Sequence, residues 1–427
     1  MIKFIHAADI HLDSPLRGLE NYEGAPVEEI RGATRRAFMN LIQLATEEEV
    51  SFVIISGDMY DGDWKDYNTG LFLLSQLSKL TSNGVPVYIV KGNHDAESKI
   101  TRDLKLPEGI KIFSSKRPET FILDGKNVAI HGQSFATPAV TEDLASNYPT
   151  AIEDMFNIGV LHTSVNGREG HENYAPCTLD TLKAKKYDYW ALGHVHKREI
   201  LSENPWIVFP GNIQGRHIKE TGRKGCVIVS IEECSVISVE SRNLDSVVWS
   251  FCEVDATGAA DPYEIVEKVR KSVEKEFLKN DKQFTAARVT VKGACKAHAS
   301  LFFNQEKWKN EIRLAVADSF GNSVWLEKFI IRTTVEIDIE QVKKRNDPMG
   351  DLFRYIESME NKGNQEICDM VSNVVTDLNK KLPYELKLKQ IFQESDDNFY
   401  NNERIAEIIG EVKQILLSRL LLSVTEQ

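Results

Sequence analysis

The sequence lacks the cysteine patterns of disulfide frameworks and of zinc sites. Its six cysteines, among 427 residues, form no CxxC pair and no regular spacing, which is typical of reduced thiols in a cytoplasmic protein. Long hydrophobic runs are also missing, because the nearest to one, ILLSRLLLSV, is too short for a membrane span and contains Arg419. The N-terminus reaches the candidate metal ligand Asp9 too early for a cleaved signal peptide to fit before it. We therefore expect a cytoplasmic protein rather than a secreted or membrane-spanning one.

The sequence has no excess of basic charge either. Its 52 lysines and arginines are outnumbered by 64 acidic residues, giving a net charge of −12, which argues against a general polyanion-binding protein. One local exception is the basic segment 216–224, with the sequence RHIKETGRK. Its basic residues are Arg216, His217, Lys219, Arg223 and Lys224. This segment is either a solvated loop or a contact for substrate phosphates, and the sequence leaves both interpretations open.

Length and hydrophobic patterning predict several globular domains. At about 150 residues per domain, a chain of 427 residues makes two or three. Residues 1–240 alternate apolar strands with amphipathic helices, and residues 247–340 form a smaller α+β pattern. Residues 346–427 have helical patterns, and the stretch 405–424 carries a wide apolar face. That face either packs on its own domain or binds a partner helix or coiled coil.

Five short motifs place metal-binding residue types directly after apolar runs. The motifs are Asp9-x-His11, Gly57-Asp58, Gly92-Asn93-His94-Asp95, His162 and Gly193-His194-x-His196. The runs before them, such as FVIIS and VPVYIV, are rich in β-branched residues and predict buried strands. Because open α/β sheets build their sites at the carboxyl ends of strands, we expect the five motifs to meet at one edge.

These residue types suit the hydrolysis of a phosphate ester by two metal ions. Two divalent cations about 3.5–4 Å apart offset the charge of the phosphate and supply hydroxide near neutral pH. Such a pair needs a bridging carboxylate, for which Asp58 is the natural candidate. Residues two apart, as in Asp9-x-His11, point to the same side of an extended chain. Imidazole, carboxylate and amide oxygen ligands favour Mn, Fe or Zn over Ca or Mg.

Each motif alone is a weak indication. An isolated Asp-x-His is more often a surface turn than a metal site, and a Gly-Asp pair is less specific still. GNHD after a strand is a stronger signal, because Asn, His and Asp are poor strand formers. All five motifs in this order, after five strands, indicate a metal-dependent phosphoesterase and leave its substrate open.

The order of the motifs resembles that of the calcineurin-like metallophosphoesterases, and within them the DNA-repair nuclease branch, the SbcD type with its YhaO-like relatives. The likeness is carried by AADIHLDSPLRGL, SGDMYDGD, KGNHD, LGHVH and PGNIQGRH. The resemblance implies an α/β fold: a two-sheet sandwich flanked by helices, then a small α+β capping domain and a helical C-terminal tail. The implied domains are a nuclease domain at 1–240, the capping domain at 247–340 and a helical, partner-binding region at 346–427. The protein-phosphatase branch is less similar, because no Arg follows Asp61 and Asp95 stands where that branch has Glu.

The resemblance also implies the ligands of each metal ion. One ion would take Asp9, His11, Asp58 and His196. The other would take Asp58, Asn93, His162 and His194. The family favours Mn²⁺ in both positions.

Catalytic and substrate-binding residues follow from the same resemblance. His94 would protonate the leaving oxygen and stabilise developing charge, and Asp61 would orient and charge His94. Asp95 could instead support the site from behind the ligands. The residues predicted to bind substrate are Arg17, Arg216, His217 and Lys219.

The resemblance implies a Mn-dependent DNA nuclease that processes DNA ends or double-strand breaks. Members of this branch usually form homodimers and pair with an SbcC-like coiled-coil ATPase, whose coil base the C-terminal helices grip. Two other functions stay open. One is a phosphodiesterase or phosphatase for small nucleotides or phosphoproteins, which the acidic charge favours. The other is a scaffold without catalysis, which the complete ligand set disfavours.

Overall fold

The computed structural model describes residues 1–16, 19, 24–61, 67–97, 106–123, 125–165, 174–336, 339–361 and 381. The described strands are, in chain order, β1 (Ile2–Ala7), β2 (Phe52–Ser56), β3 (Val87–Val90), β4 (Ile110–Ile112), β5 (Glu119–Leu123), β6 (Val128–Gly132), β7 (Phe156–His162), β8 (Tyr189–Gly193), β9 (Glu199–Glu203), β10 (Trp206–Phe209), β11 (Gly225–Glu232), β12 (Ser235–Asn243), β13 (Val247–Asp255), β14 (Phe284–Cys295) and β15 (Val324–Val335). The described helices are α1 (Val27–Arg31), α2 (Ala33–Glu47), α3 (Tyr67–Ser82), α4 (Asn93–Glu97), α5 (Leu179–Ala184), α6 (Pro262–Lys279), α7 (His298–Phe303), α8 (Gln305–Phe320), α9 (Ile339–Lys343) and α10 (Pro348–Asn361).

Two six-stranded sheets form the first part of the chain. The first sheet has the order β12-β11-β1-β2-β3-β4, with β1 to β4 parallel and β11 and β12 antiparallel. The second sheet has the order β5-β6-β7-β8-β10-β9, with parallel strands in the middle and antiparallel β5 and β9 at its edges. The predicted fold class, α/β with two large sheets and flanking helices, is confirmed.

Alternate residues of the central strands face different cores. In β2, Phe52 and Ile54 belong to a core that draws on both sheets and so lies between them. Val53 and Ile55 face the other way and pack with residues of α2 and α3. In the second sheet, Trp190 of β8 belongs to a third core on the outer face. Because both faces of these strands are covered, they are apolar throughout.

The carboxyl ends of five parallel strands meet at one edge of the two sheets. Strands β1, β2 and β3 are neighbours in the first sheet, and β7 and β8 are neighbours in the second. The Ser56 hydroxyl at the end of β2 donates to the Ala191 carbonyl of β8 over 3.0 Å. The His162 Nδ1–H of β7 donates to the Ser56 carbonyl over 2.9 Å. These bonds join the sheets at the edge where all five motifs begin.

A third sheet, with the order β13-β14-β15, follows the first two along the chain. The stretch SLFFNQEKWKNEIRLAVADSF predicts one helix over 300–320, but the structure has two helices there, α7 and α8. The helix breaks at Asn304, whose φ of −119° and ψ of 42° end α7. The Trp308 N–H then bonds to the Asn304 carbonyl over 3.1 Å in the first turn of α8. Asn favours such a break because its side chain competes for backbone hydrogen bonds.

The described chain divides into two compact units. The first contains Met1–Phe251, Glu274–Arg288 and Phe320–Lys328. The second contains Cys252–Val273, Val289–Ser319 and the described residues from Phe329 onwards. The domain bounds inferred from the sequence, 1–240, 247–340 and 346–427, stay predictions.

The C-terminal region is described only in its first part. Helix α10 forms where the pattern PMGDLFRYIESME predicts a helix, while the apolar stretch 405–424 lies outside the described residues. Among the described helices, none combines the length and apolar character that crossing a membrane requires.

Candidate metal centre

The loops after β1, β2 and β8 hold their motif residues in left-handed backbone conformations. The φ angle is +52° at Asp9, +45° at His11, +53° at Asp58 and +102° at His194. Such conformations cost on the order of 1 kcal/mol or more each and cluster at functional sites. Backbone hydrogen bonds between loops hold these conformations. The Asp9 N–H donates to the Gly57 carbonyl and the His11 N–H donates to the Asp58 carbonyl, both over 3.0 Å. The strain is therefore built into the loops that carry the motifs.

Two motif glycines allow the loops to approach the ligands closely. A Cβ atom at Gly92 would lie 2.3 Å from Asp58 Oδ1. A Cβ atom at Gly193 would lie 1.8 Å from the Ser56 carbonyl oxygen. Both distances are far below van der Waals contact, so a larger residue at either position would displace a ligand or a strand end.

Asp9, His11 and His196 form a first group, whose candidate ligand atoms all lie within 4.8 Å of one another. His11 Nε2 lies 3.1 Å from His196 Nε2. The His196 Nδ1–H donates to Glu220 over 2.7 Å, so the lone pair of His196 Nε2 is turned towards His11. Both oxygens of Asp9 accept the backbone N–H of His194 at 3.1 Å. A cation between the two facing imidazole nitrogens would satisfy this arrangement.

Asp9, Asp58 and His162 form a second group with ligand atoms within 4.8 Å of one another. His162 donates its Nδ1–H to the Ser56 carbonyl, which leaves Nε2 for the centre. That Nε2 lies 3.0 Å from Asn93 Oδ1 and 3.4 Å from Asp58 Oδ2. Three acceptor atoms thus converge on one point, as they would around a metal ion.

All seven predicted metal ligands lie in this one cluster. The seventh, His194, has its ring centroid 5.2 Å from that of His162 and 5.6 Å from that of Tyr174. A third group joins His94 to His11 and Asp58, again with ligand atoms within 4.8 Å, so His94 also lies within reach of the centre. The division of ligands between two ions stays a prediction.

The carboxylates and imidazoles of the cluster shift each other's pKa values. Burial raises the pKa of Asp58, but its neighbours His162 and His11 outweigh burial and hold it well below its usual range. Burial lowers the pKa of His162, but Asp58 and Asp9 outweigh it and raise that pKa to about 9. A proton on His162 therefore supplies positive charge that the buried carboxylates require. Divalent cations would supply that charge instead.

The chemistry of the donor set fits divalent metal ions. Asp9, His11 and Asp58 are each 1% exposed, so their charges and lone pairs need partners inside the protein. His11 presents Nε2 to the cluster, 3.1 Å from His196 Nε2, while its Nδ1 lies 3.5 Å from Asp61 Oδ1. A mixture of imidazole, carboxylate and amide oxygen is typical of sites for Mn, Fe or Zn.

His94 and Asp61 lie on the accessible side of the cluster. His94 Nδ1 is 3.4 Å from Asp61 Oδ1, and the His94 side chain is 36% exposed. Asp61 accepts the Ser14 hydroxyl over 2.6 Å and lies 3.5 Å from His11 Nδ1. Burial raises the pKa of Asp61, but His11 and Ser14 outweigh it and keep the carboxyl ionised. The Asp61 carboxylate is therefore placed where it can orient the His94 imidazole.

Glu220 is a buried carboxylate beside the centre that no sequence motif indicated. Its carboxylate is 8% exposed and accepts hydrogen bonds from His196 Nδ1 at 2.7 Å, Asn212 Nδ2 at 2.9 Å and the Arg216 N–H at 2.8 Å. It therefore fixes both the tautomer and the orientation of His196, as carboxylates behind metal-bound histidines do. Glu220 follows His196 by 24 residues, and no motif connects the two positions.

Asp95 supports the centre from behind the ligands. Its carboxylate accepts the backbone N–H groups of Met59 at 2.9 Å, of Tyr60 at 3.1 Å and of Gly92 at 3.1 Å. Burial and the nearby Asp58 raise its pKa to about 7. Asp95 thus ties the loop after β2 to the loop after β3.

Three of the four residues predicted to bind substrate are described, and all three belong to the basic segment. Arg216 has a side chain that is 14% exposed, with Nη1 3.7 Å from Asp61 Oδ1. His217 has a side chain that is 54% exposed, and Lys219 is exposed. The fourth, Arg17, lies outside the described residues.

Two other residues of the basic segment have structural partners. Arg223 Nε lies 2.9 Å from Asp245 Oδ1, and Lys224 Nζ donates to the His196 carbonyl over 3.0 Å. The segment is therefore neither a purely solvated loop nor wholly available to a substrate.

Comparisons with known proteins found matches for two regions of the chain. Residues 2–198 match the family described as calcineurin-like phosphoesterase. Residues 249–334 match the middle domain of metallophosphoesterase YhaO. Among solved structures, the chain is similar to the protein TT1561 of Thermus thermophilus, with 13% identity, a TM-score of 0.34 and coverage of 57% of this chain and 99% of that chain. It is also similar to the nuclease MPE of Pseudomonas putida, with 15% identity, a TM-score of 0.20 and coverage of 52% and 81%.

A curated relative matches more than half of the chain. This chain is 38% identical over 278 residues to the uncharacterized metallophosphoesterase YhaO of Bacillus subtilis (strain 168). The match covers 64% of this chain and 68% of the relative. With that identity, and with the ligand cluster at the carboxyl ends of five strands, the chain belongs to the calcineurin-like metallophosphoesterase family, as a YhaO-like, metal-dependent phosphoester hydrolase.

Proposed function

We propose that this chain is a Mn-dependent DNA nuclease that hydrolyses phosphodiesters during the processing of DNA ends or double-strand breaks. The observation that carries the proposal is the His94–Asp61 pair, which lies beside the ligand cluster and within 3.7 Å of Arg216. A proton donor and a guanidinium group thus share the accessible side of the centre. That is where a phosphodiester and its leaving group would bind.

Each side chain of the pair has its own task. Divalent cations held by the cluster would offset the charge of the phosphodiester and supply hydroxide near neutral pH. The Asp61 carboxylate lies 3.4 Å from His94 Nδ1 and orients the imidazole. His94 can then donate a proton to the leaving oxygen. Arg216 donates to non-bridging phosphate oxygens and stabilises their charge as the bond breaks.

Three further features support this function. The exposed side chains of His217 and Lys219 extend positive charge beyond Arg216, as contacts to the phosphates of a polymer require. The imidazole and carboxylate donors suit Mn²⁺, which the family resemblance also favours. None of the five described cysteines forms a disulfide, in keeping with a cytoplasmic location.

Cleavage of end-labelled linear duplex DNA in the presence of Mn²⁺ tests the proposal. We expect a product ladder from the wild type and cleavage by His94→Gln that is slower by about 100-fold or more, because general acid catalysis is lost. Lys126→Gln is the control, since Lys126 lies in the turn between β5 and β6 at the opposite edge of the second sheet. Cleavage by His94→Gln at the wild-type rate would contradict the proposed role of His94. An inactive wild type would contradict a nuclease function of the isolated chain.

A phosphodiesterase or phosphatase for small nucleotides or phosphoproteins is the second candidate. Two observations favour it: the net charge of −12, and a cavity of about 600 Å³ that Asp61 helps to line, a size typical of small-molecule sites. Turnover of cyclic dinucleotides or phosphopeptides well above that of DNA, under the same Mn²⁺ concentration, would establish this function instead.

We also propose that the chain acts as a homodimer with an SbcC-like coiled-coil ATPase. The support is the family resemblance together with the apolar face of 405–424, which lies outside the described residues. We expect the wild type to be dimeric by light scattering and to copurify with a purified ATPase of this type from the same organism. Leu417→Glu should weaken copurification. If the wild type and Leu417→Glu copurified equally with the ATPase, a role of this face in binding the ATPase would be contradicted.

A further inference from the structure

A cavity of about 600 Å³ extends from the catalytic groups described above. At one end it is lined by Ser14, Asp61 and Arg216, on the accessible side of the centre. Trp249 and Trp325 also line it. All of the described residues that line it belong to the first compact unit. The cavity is therefore continuous with the place where a phosphodiester would bind.

Apolar side chains form one part of the cavity lining. Trp249 and Trp325 contact each other edge to face, with ring centroids 6.2 Å apart, and Leu19 belongs to the same apolar cluster. The Trp249 indole N–H donates to the Gly215 carbonyl over 3.0 Å, which fixes that ring. Ile218, in the basic segment, is half-buried against this cluster. The result is a preformed apolar wall next to charged catalytic groups.

A fixed polar pair lies in the same lining. The Arg288 guanidinium binds both carboxylate oxygens of Glu327, with Nε 2.6 Å from Oε2. Glu327 is 8% exposed, so the pair is held rigidly in an apolar environment. The Arg288–Glu327 pair places hydrogen-bonding groups at a defined position. Small-molecule sites use such groups for orientation and specificity.

We propose that this cavity is a nucleoside subsite, which binds the base and sugar next to the phosphodiester that is cleaved. The inference rests on the proposed nuclease function. A phosphate bound by Arg216, beside Asp61, would have its ester-linked groups next to the cavity that these two residues help to line. A nucleoside has flat apolar faces and a polar edge, which match the tryptophans and the Arg288–Glu327 pair.

If the cavity binds a nucleoside, removal of the base at that position of the DNA should slow cleavage. The substrate is end-labelled linear DNA that carries one tetrahydrofuran abasic residue, and the products are read at nucleotide resolution with Mn²⁺. We expect cleavage of one bond beside the abasic residue to slow by about tenfold or more, because contacts between a base and aromatic side chains are lost. A matched DNA with a mismatched normal base at the same position controls for the loss of pairing and should show no such pause.

Two variants locate the effect in the cavity. Ile218→Trp and Leu16→Trp each place a bulky ring in the lining from a different segment, and either one should remove the difference between abasic and normal DNA. Leu71→Trp is the matched control, because Leu71 on α3 is 48% exposed and outside the cavity lining. It should retain the pause.

The outcomes separate the subsite from the nuclease function. A pause at the abasic residue that is absent in the cavity variants supports the subsite. Uniform cleavage through the abasic residue by the wild type would overturn the subsite and leave the nuclease function standing. An unchanged pause in folded Ile218→Trp and Leu16→Trp would also overturn it. No cleavage of any of these DNAs, with turnover of p-nitrophenyl phosphate retained, would overturn both proposals.

Discussion

At the scale of single residues, His6 shows how burial fixes the chemistry of a side chain near the centre. It lies on β1 with no exposed surface. Its Nε2–H donates to the Leu192 carbonyl over 3.1 Å, and its Nδ1 accepts the Tyr189 hydroxyl over 3.0 Å. Burial lowers the pKa of His6 to about 3, although the bond to Leu192 acts in the opposite direction. His6 is therefore neutral in the folded protein near neutral pH.

Replacing His6 should flatten part of the pH dependence of stability. The unfolded chain takes up a proton near pH 6.5 and the folded chain only near pH 3, so acid below pH 6.5 favours unfolding. At pH 5, proton uptake by His6 in the unfolded chain lowers the free energy of unfolding of the wild type by about 2 kcal/mol relative to pH 7. We expect the free energy of unfolding of metal-free His6→Gln, measured with urea, to lack this part of the decline. Parallel curves for the two proteins between pH 7 and pH 5 would contradict the burial effect.

Glu220 should act on metal affinity through His196. We expect Glu220→Gln to raise the Mn²⁺ concentration needed for half-maximal activity by about 10- to 100-fold, because His196 loses its charged partner. The rate at saturating Mn²⁺ should fall much less. Glu203→Gln, at the exposed end of β9, is the control. A loss of rate without a shift in the Mn²⁺ dependence would show that Glu220 does not position a metal ligand.

At the scale of secondary-structure elements, the join between β2 and β8 should tolerate no side chain at Gly193. A Cβ atom there would lie 1.8 Å from the Ser56 carbonyl and 3.0 Å from His162 Nδ1. We expect Gly193→Ala to lower the free energy of unfolding by about 2–3 kcal/mol and to weaken Mn²⁺ binding. Gly32→Ala is the control, because its nearest neighbour would be the flexible end of Arg36 at 2.9 Å. Equal stability of the two variants would contradict the close packing at this join.

The sequence predicted the strands that carry the motifs because burial on both faces makes them predominantly apolar. Strands β1, β2, β3, β7 and β8 all have this character, and each ends at a motif. Since parallel strands present their carboxyl ends at one edge, the gathering of the ligands also followed from the pattern. The strained backbone at Asp9 and His194 did not, because left-handed conformations of such residues leave no mark in the sequence.

Other features depend on tertiary context. The edge strands β9 and β12 alternate exposed and half-buried residues, so they have too little apolar character to stand out. The break at Asn304 interrupts an otherwise continuous helical pattern. Glu220 stands among basic residues of one segment, and only the folded chain brings it within 2.7 Å of His196. The cavity lined by Trp249 and Trp325 joins parts of the chain that are distant in sequence.

At the scale of the whole molecule, Mn²⁺ should stabilise the folded protein through the buried carboxylates. Binding only to the folded state adds about 2.7 kcal/mol when the free metal is 100 times its dissociation constant. We expect urea unfolding of the wild type in Mn²⁺ and in EDTA to differ by at least about this amount. Asp58→Asn should show little or no difference, because it removes a carboxylate shared by two of the candidate ligand groups. An equal gain in both proteins would place the stabilising metal elsewhere.

The most direct test of the central claim is the rate at which Asp58→Asn cleaves end-labelled duplex DNA at saturating Mn²⁺, relative to the wild type. Asp58 is 1% exposed and belongs to two of the three ligand groups, so its replacement affects most of the centre. We predict steady cleavage by the wild type and none above background by Asp58→Asn, with both proteins folded in EDTA by circular dichroism. Cleavage by Asp58→Asn at the wild-type rate would show that phosphodiester hydrolysis does not take place at this centre.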